Sequence, residues 1–182
     1  MSRLPRIALA VALAVGLVGL SSGCRINEIN LDEIHEGQIF ELGELEFNVL
    51  FDRFLNEQQV EDRDYLGAVG PPPEGKTYFG VFVLVENPGE EDQTLPEQEN
   101  FKITDTTGTE FAPLPTQSLY EFPYGGTVPA HGDVPDPDSV PANGPIQGSI
   151  VVFELDEAAT ENRPLEFHID YGGEEASVEL DL

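Results

Sequence analysis

Thiols, tryptophan and cationic side chains are scarce in this chain of 182 residues, and each shortage removes a class of explanation. Cys24 is the only cysteine, so no intrachain disulfide can form and no thiolate metal cluster can be built. There is no tryptophan, which excludes the Cys–Trp–Cys core of antibody domains and leaves apolar packing to hold any sandwich together. Met1 is the single methionine and His35, His131 and His168 are the only histidines, too few for a copper carrier built on such ligands. Eight basic residues stand against 35 acidic ones, a formal charge of −27. That field repels phosphate backbones and argues against nucleic acid as a partner. No His-Glu-x-x-His pair occurs. The expectation is a non-enzymatic protein that carries no cofactor.

What is present begins with an export signal. Arg3 and Arg6 precede an apolar run from Ile7 to Leu20, and Ser21, Ser22 and Gly23 lead into Cys24. This is a positive n-region, an apolar h-region and a small-residue cleavage site in that order. At about 1.5 Å per helical residue the run spans roughly 21 Å, short of the ~30 Å hydrocarbon core, so it suits passage rather than permanent spanning. Ser22-Gly23-Cys24 resembles the bacterial lipobox, with Ser21 standing where an aliphatic residue is usual. The resemblance implies cleavage after Gly23 and lipid attachment at Cys24. Each buried CH₂ contributes about 0.8 kcal/mol, and the two chains of a diacylglyceryl cysteine suffice for stable anchoring where one does not. Removing the leader leaves six basic residues against 35 acidic, −29 in all.

Residues 24–37 are polar and acidic and read as a lipidated N-terminus and tether, with one helical turn expected around Asp32–His35 and a solvated His35. From Gln38 the signals are β, and 38–182 is expected to form one domain. Leu45, Phe47, Val49 and Phe51 alternate with Glu46, Asn48, Leu50 and Asp52, the period of a strand with one buried face. Tyr78–Glu86 is apolar on both faces and reads as a central strand. Asn56–Gly75, ending in three consecutive prolines, reads as a surface loop. Phe101–Phe111 and Leu165–Leu180 read as hairpins around Thr-Thr-Gly and Gly-Gly turns, and Gln147–Leu155 as a further strand. Eight prolines fall within 113–145, a region of loop and edge strand in which Tyr120, Phe122 and Tyr124 alternate as a short strand would. A helical turn is expected within Asp156–Arg163. About seven short strands without a sustained helical period predict an all-β fold, an immunoglobulin-like antiparallel β-sandwich.

Three stretches carry a resemblance: the apolar strand ending in Val85-Glu86-Asn87-Pro88, the segment Phe101–Phe111, and Gly148–Leu155. They look like the lipoproteins of Gram-positive bacteria that carry an immunoglobulin-like domain similar to the mycobacterial immunoprotective extracellular antigen. The resemblance covers roughly residues 40–182 and implies the fold; it implies no catalytic residues.

Two functional expectations follow. The first is a lipid-anchored protein on the extracytoplasmic face of the cell membrane, whose acidic sandwich binds a protein or envelope component. The second is a solute- or cation-binding lipoprotein. Its best metal candidates are Asp133, Asp136 and Asp138, three carboxylates within one loop that could supply oxygens to Ca²⁺. The charge itself reads either as a device for solubility or as an adaptation to high salt, where screening relieves self-repulsion. His168 falls on the polar face of its strand and reads as an exposed or edge histidine. Intact-mass analysis of the membrane fraction tests the anchor: the mature chain is expected to begin at Cys24 and carry a diacylglyceryl group, and Cys24→Ser to leave the membrane. A native chain that begins at Met1 or has a free thiol at position 24 removes the tether.

Overall fold

The computed structural model describes residues 30–181, so Gly23 and Cys24 lie outside the described residues. In chain order the elements are β1 (Ile34–His35), β2 (Ile39–Leu42), β3 (Leu45–Leu55), α1 (Val60–Leu66), β4 (Lys76–Glu86), β5 (Gln93–Thr94), β6 (Phe101–Thr104), β7 (Glu110–Phe111), β8 (Thr127–Val128), β9 (Asp133–Val134), β10 (Ser149–Asp156), β11 (Leu165–Tyr171) and β12 (Glu174–Leu180). Seven of the strands have four residues or more, the number expected from the alternating runs. One large sheet has the order β1-β12-β11-β6-β7 and the other β10-β4-β3-β2, with β9 continuing the β10 side of β4, and β5 pairs with β8 as a separate two-stranded ribbon. Pairing is antiparallel throughout except between β1 and β12.

The core lies between the sheets. Phe79, Val81, Val83 and Val85 of β4 and Val151, Phe153 and Leu155 of β10 face Phe101, Ile103, Phe167, Ile169 and Val178 of the opposite sheet. Phe153 meets Phe167 edge-on at 6.0 Å, and Phe167 stacks on Phe101 at 5.8 Å. Full burial of each such side chain contributes roughly 1.5–3 kcal/mol, which supplies the cohesion that disulfides provide in other small sandwiches.

The alternation of β3 breaks in the middle. Val49 pairs with Val83 but Phe51 pairs with Phe82, so Leu50 is an extra residue, a β-bulge. A one-residue insertion exchanges the two faces of everything downstream. Phe51, expected inside, is therefore on the outer face and 44% exposed, while Asp52 turns inward and is buried. Beyond the bulge, Arg53 points outward and ion-pairs with the buried Asp62 of α1, and Tyr65 packs edge-on against Phe82 at 5.1 Å. These contacts account for α1, which replaces part of the loop expected over Asn56–Gly75. A helix of seven residues is below the length that forms from propensity alone, and its apolar signal is only Tyr65 and Leu66 on the sheet.

Two other expectations are corrected. Asp32–His35 forms no helical turn; Ile34 is fully buried and pairs with Val178 as β1, so part of the segment read as tether belongs to the sheet. Tyr120, Phe122 and Tyr124 form no strand. Tyr120 packs on Tyr65 outside the β4 sheet, whereas Phe122 enters the core against Phe101, and Glu121 makes a lone bridge to Ile150. The turn at Asp156–Arg163 is present as a 3₁₀ helix, Glu157–Glu161.

The inward Asp52 meets Glu36 from the β1–β2 connection. Glu36 Oε1 and Asp52 Oδ2 are buried without a donor, and a single proton shared between the two carboxyls satisfies both. Burial, then the Asp52 carboxyl and the charge of Asp181, push the Glu36 carboxyl up to about 9. Asp52 is raised too, chiefly by burial, with the Asp181 backbone N–H and Arg163 acting the other way. The folded chain thus holds a proton that the unfolded chain releases near 4.5, so its stabilisation is complete below that value and is lost as pH climbs toward about 9. Thermal melts from about pH 5 to 9 are expected to show a falling Tm, by several degrees. Glu36→Gln, whose amide donates permanently to Asp52, should flatten that slope; an unchanged slope refutes the shared proton.

Candidate functional site: an acidic groove on the outer sheet face

The outer face of the β4 sheet is covered in one half only. α1 and the segment around Leu114 and Tyr120 pack over Leu55, Tyr78, Phe82, Ile150 and Val152. On the other side of the bulge, the outward residues Glu46, Asn48 and Leu50 of β3 and Leu84 and Glu86 of β4 form the floor of an open groove of about 660 Å³. Ile39 of β2 forms one lip and is 58% exposed.

The opposite wall comes from an excursion of the chain between β9 and β10. β9 pairs with Val85 and Glu86 on the same side of β4 that β10 occupies, so residues 135–148 leave and rejoin a single strand position. Prolines bar this stretch from the ladder, and Pro135, Pro137 and Pro145 line the groove instead. The loop is tied internally: Asn143 Nδ2 donates to the carbonyls of Pro137 and Ser139, both at 2.9 Å. Asn87 holds the entry to β9. Its fully buried amide donates to the carbonyls of Val128 and Pro129, and its backbone N–H donates to Gly132.

Strand register gives the groove its charge. Glu41 pairs with Glu46, Glu46 with Glu86, and Glu86 with Asp133, so four carboxylates stand in one row across β2, β3, β4 and β9. At about 4.8 Å between strands the row is roughly 14 Å long. Like charges directly opposite one another destabilise a sheet, and no lysine, arginine or histidine lines the groove to offset them. On the floor, Asn48 Oδ1 is buried and accepts no hydrogen bond.

The sequence-derived candidates are dispersed by the fold. Asp133 is the end of the carboxylate row, on β9. Asp136 turns the loop: its Oδ1 accepts the Asp138 N–H at 2.8 Å, and its carbonyl accepts the Ser139 N–H at 2.8 Å. Asp138 is exposed beside it. Among the described residues, no three His, Cys, Asp or Glu side chains are grouped to hold a metal ion. His35 is exposed, 4.0 Å from Glu179. His168 is a correction. β11 lies between β12 and β6, so His168 is neither at an edge nor exposed. Its ring is 12% exposed, with Nε2 2.8 Å from Thr104 Oγ1 and Nδ1 3.1 Å from Glu175, and Lys102 approaches the same carboxylate at 3.5 Å. It belongs to a polar ladder with Thr104, Lys102 and Glu175 on neighbouring strands. Sequence reasoning missed Glu41, Glu46, Asn48 and Glu86, because three glutamates and an aspartate scattered between positions 41 and 133 become a row only through register.

No family model matches this chain, and no curated protein matches it by sequence. Solved structures do. An uncharacterized β-sandwich protein from Clostridium difficile superposes with a TM-score of 0.50 at 11% identity, over 82% of this chain and 94% of that one. The candidate lipoprotein ycdA of Bacillus subtilis gives 0.49 at 12% identity, over 80% of this chain and 38% of that one. The secreted protein MPT63 of Mycobacterium tuberculosis gives 0.49 at 13% identity, over 82% and 96%. The first likeness agrees with the two packed sheets described above, and the chain is an all-β sandwich; identities this low concern fold alone.

Relief of the carboxylate row has a measurable consequence. Glu46→Gln, at the middle of the row, should stabilise the fold by about 0.5 kcal/mol in low salt, with the gain shrinking in molar NaCl as screening replaces it. Urea unfolding at the two ionic strengths checks this, and a destabilised variant would mean that Glu46 holds the sheet together.

Proposed function

We propose that this chain is a non-enzymatic, lipid-anchored protein of the extracytoplasmic membrane face that binds a protein or envelope component through the groove above β3 and β4. The observation that carries the reading is the groove itself: a preformed concavity whose floor sets Leu50 and Leu84 beside a row of uncompensated carboxylates, walled by an internally braced loop. Its volume is in the range of about 300–1,000 Å³ typical of ligand sites. The leader and Cys24 supply the address, and the −29 charge of the chain without its leader keeps the domain off an anionic bilayer while the lipid holds it nearby. The cation-binding alternative has less behind it, since Asp136 spends a carboxylate oxygen on its own turn.

A photo-crosslinking residue at Gln147, on the groove wall, tests the reading in the full-length protein in native membranes. A discrete adduct is expected there and none from the same residue at Glu154, which lies outside the groove lining. Identical products from both positions, or none from either, would overturn the groove as the binding surface.

A further inference from the structure

We infer that the occupant of the groove is an extended basic segment of a partner polypeptide, aligned on β2 with lysine or arginine side chains directed along the carboxylate row; this rests on the binding role proposed above. The charged groups that the groove offers are all carboxylates. Glu46, Glu86 and Asp133 are its only charged lining residues, and the buried Asn48 Oδ1 lacks a donor. An occupant that complements these carboxylates brings positive charge, and an apolar stem lets it lie against Leu50 and Leu84. Lysine and arginine side chains combine those properties.

A free edge specifies polypeptide. β2 pairs with β3 alone, and among the described residues no backbone group of Ile39–Leu42 bonds on its other side. Such an edge recruits an extended segment through main-chain hydrogen bonds. The outward residues of β2 are Ile39 and Glu41, opposite Asn48 and Glu46. A strand added there sets alternate side chains beside one apolar residue and the start of the row, so a basic residue opposite Glu41 extends the row with the opposite sign. The strain of like charges in register is relieved when that partner arrives.

Calorimetry on the full-length protein in neutral detergent separates the possibilities, using an acetylated and amidated Lys-Val-Lys-Val-Lys-Val peptide. The peptide should bind, and Glu46→Gln with Glu86→Gln should weaken it at least ~10-fold, about two partly screened ion pairs. The version with alternate backbone nitrogens methylated should weaken similarly, since it cannot complete a ladder. Undiminished binding by the double variant would mean attraction to net charge, and would overturn the site. Spermine binding as tightly as the peptide, with N-methylation without effect, would overturn the polypeptide. Absence of peptide binding overturns this inference too; if the Gln147 adduct still forms, the groove reading survives it, and if that adduct is also missing, both fall.

Discussion

Much of this molecule follows from one extra residue in a strand. With Leu50 inserted between the pairs Val49–Val83 and Phe51–Phe82, β3 presents two different faces along its length. Before the bulge its outward side chains are Glu46, Asn48 and Leu50, which leave the sheet open as a groove floor. After it, Arg53 and Leu55 point outward and engage α1 and the second apolar cluster, which closes the sheet from solvent. A bulge here divides a single sheet face into a covered half and an exposed half, the kind of local irregularity that re-aims side chains near functional surfaces.

The same inversion explains the buried acid pair. Asp52 would be a solvated surface carboxylate in a regular strand; turned inward, it meets Glu36 and the two must share a proton. Elsewhere carboxylates are held in their charged form by donors. Burial would raise Asp105, but hydrogen bonds from Thr107, Thr109 and Asn162 override it and hold that carboxyl down at about 2. Two buried acids on one domain therefore have opposite responses to pH, decided by whether the neighbouring groups donate protons or compete for them.

The carboxylate row and the aliphatic side chains of Leu50 and Leu84 beside it are complementary liabilities. A protein with 35 acidic residues can place most of them far apart on its surface, yet register brings four into adjacent strand positions without a cation between them. The floor beside them exposes aliphatic groups that the α1 half of the same sheet buries. Each feature alone costs stability, and a basic segment with an apolar stem removes both costs at once.

The amino-acid sequence by itself determined the class of fold, the central strand and both hairpins. Those depend on alternation of period two and on turn residues, both of which are local and survive without knowledge of neighbours. Tertiary structure alone decided the outward Phe51 and inward Asp52, the short helix, the half-buried His168 and the row from Glu41 to Asp133. Each of these is a matter of register or of packing between distant segments, and a bulge of one residue, invisible in composition and pattern, changes which side of a sheet a side chain meets.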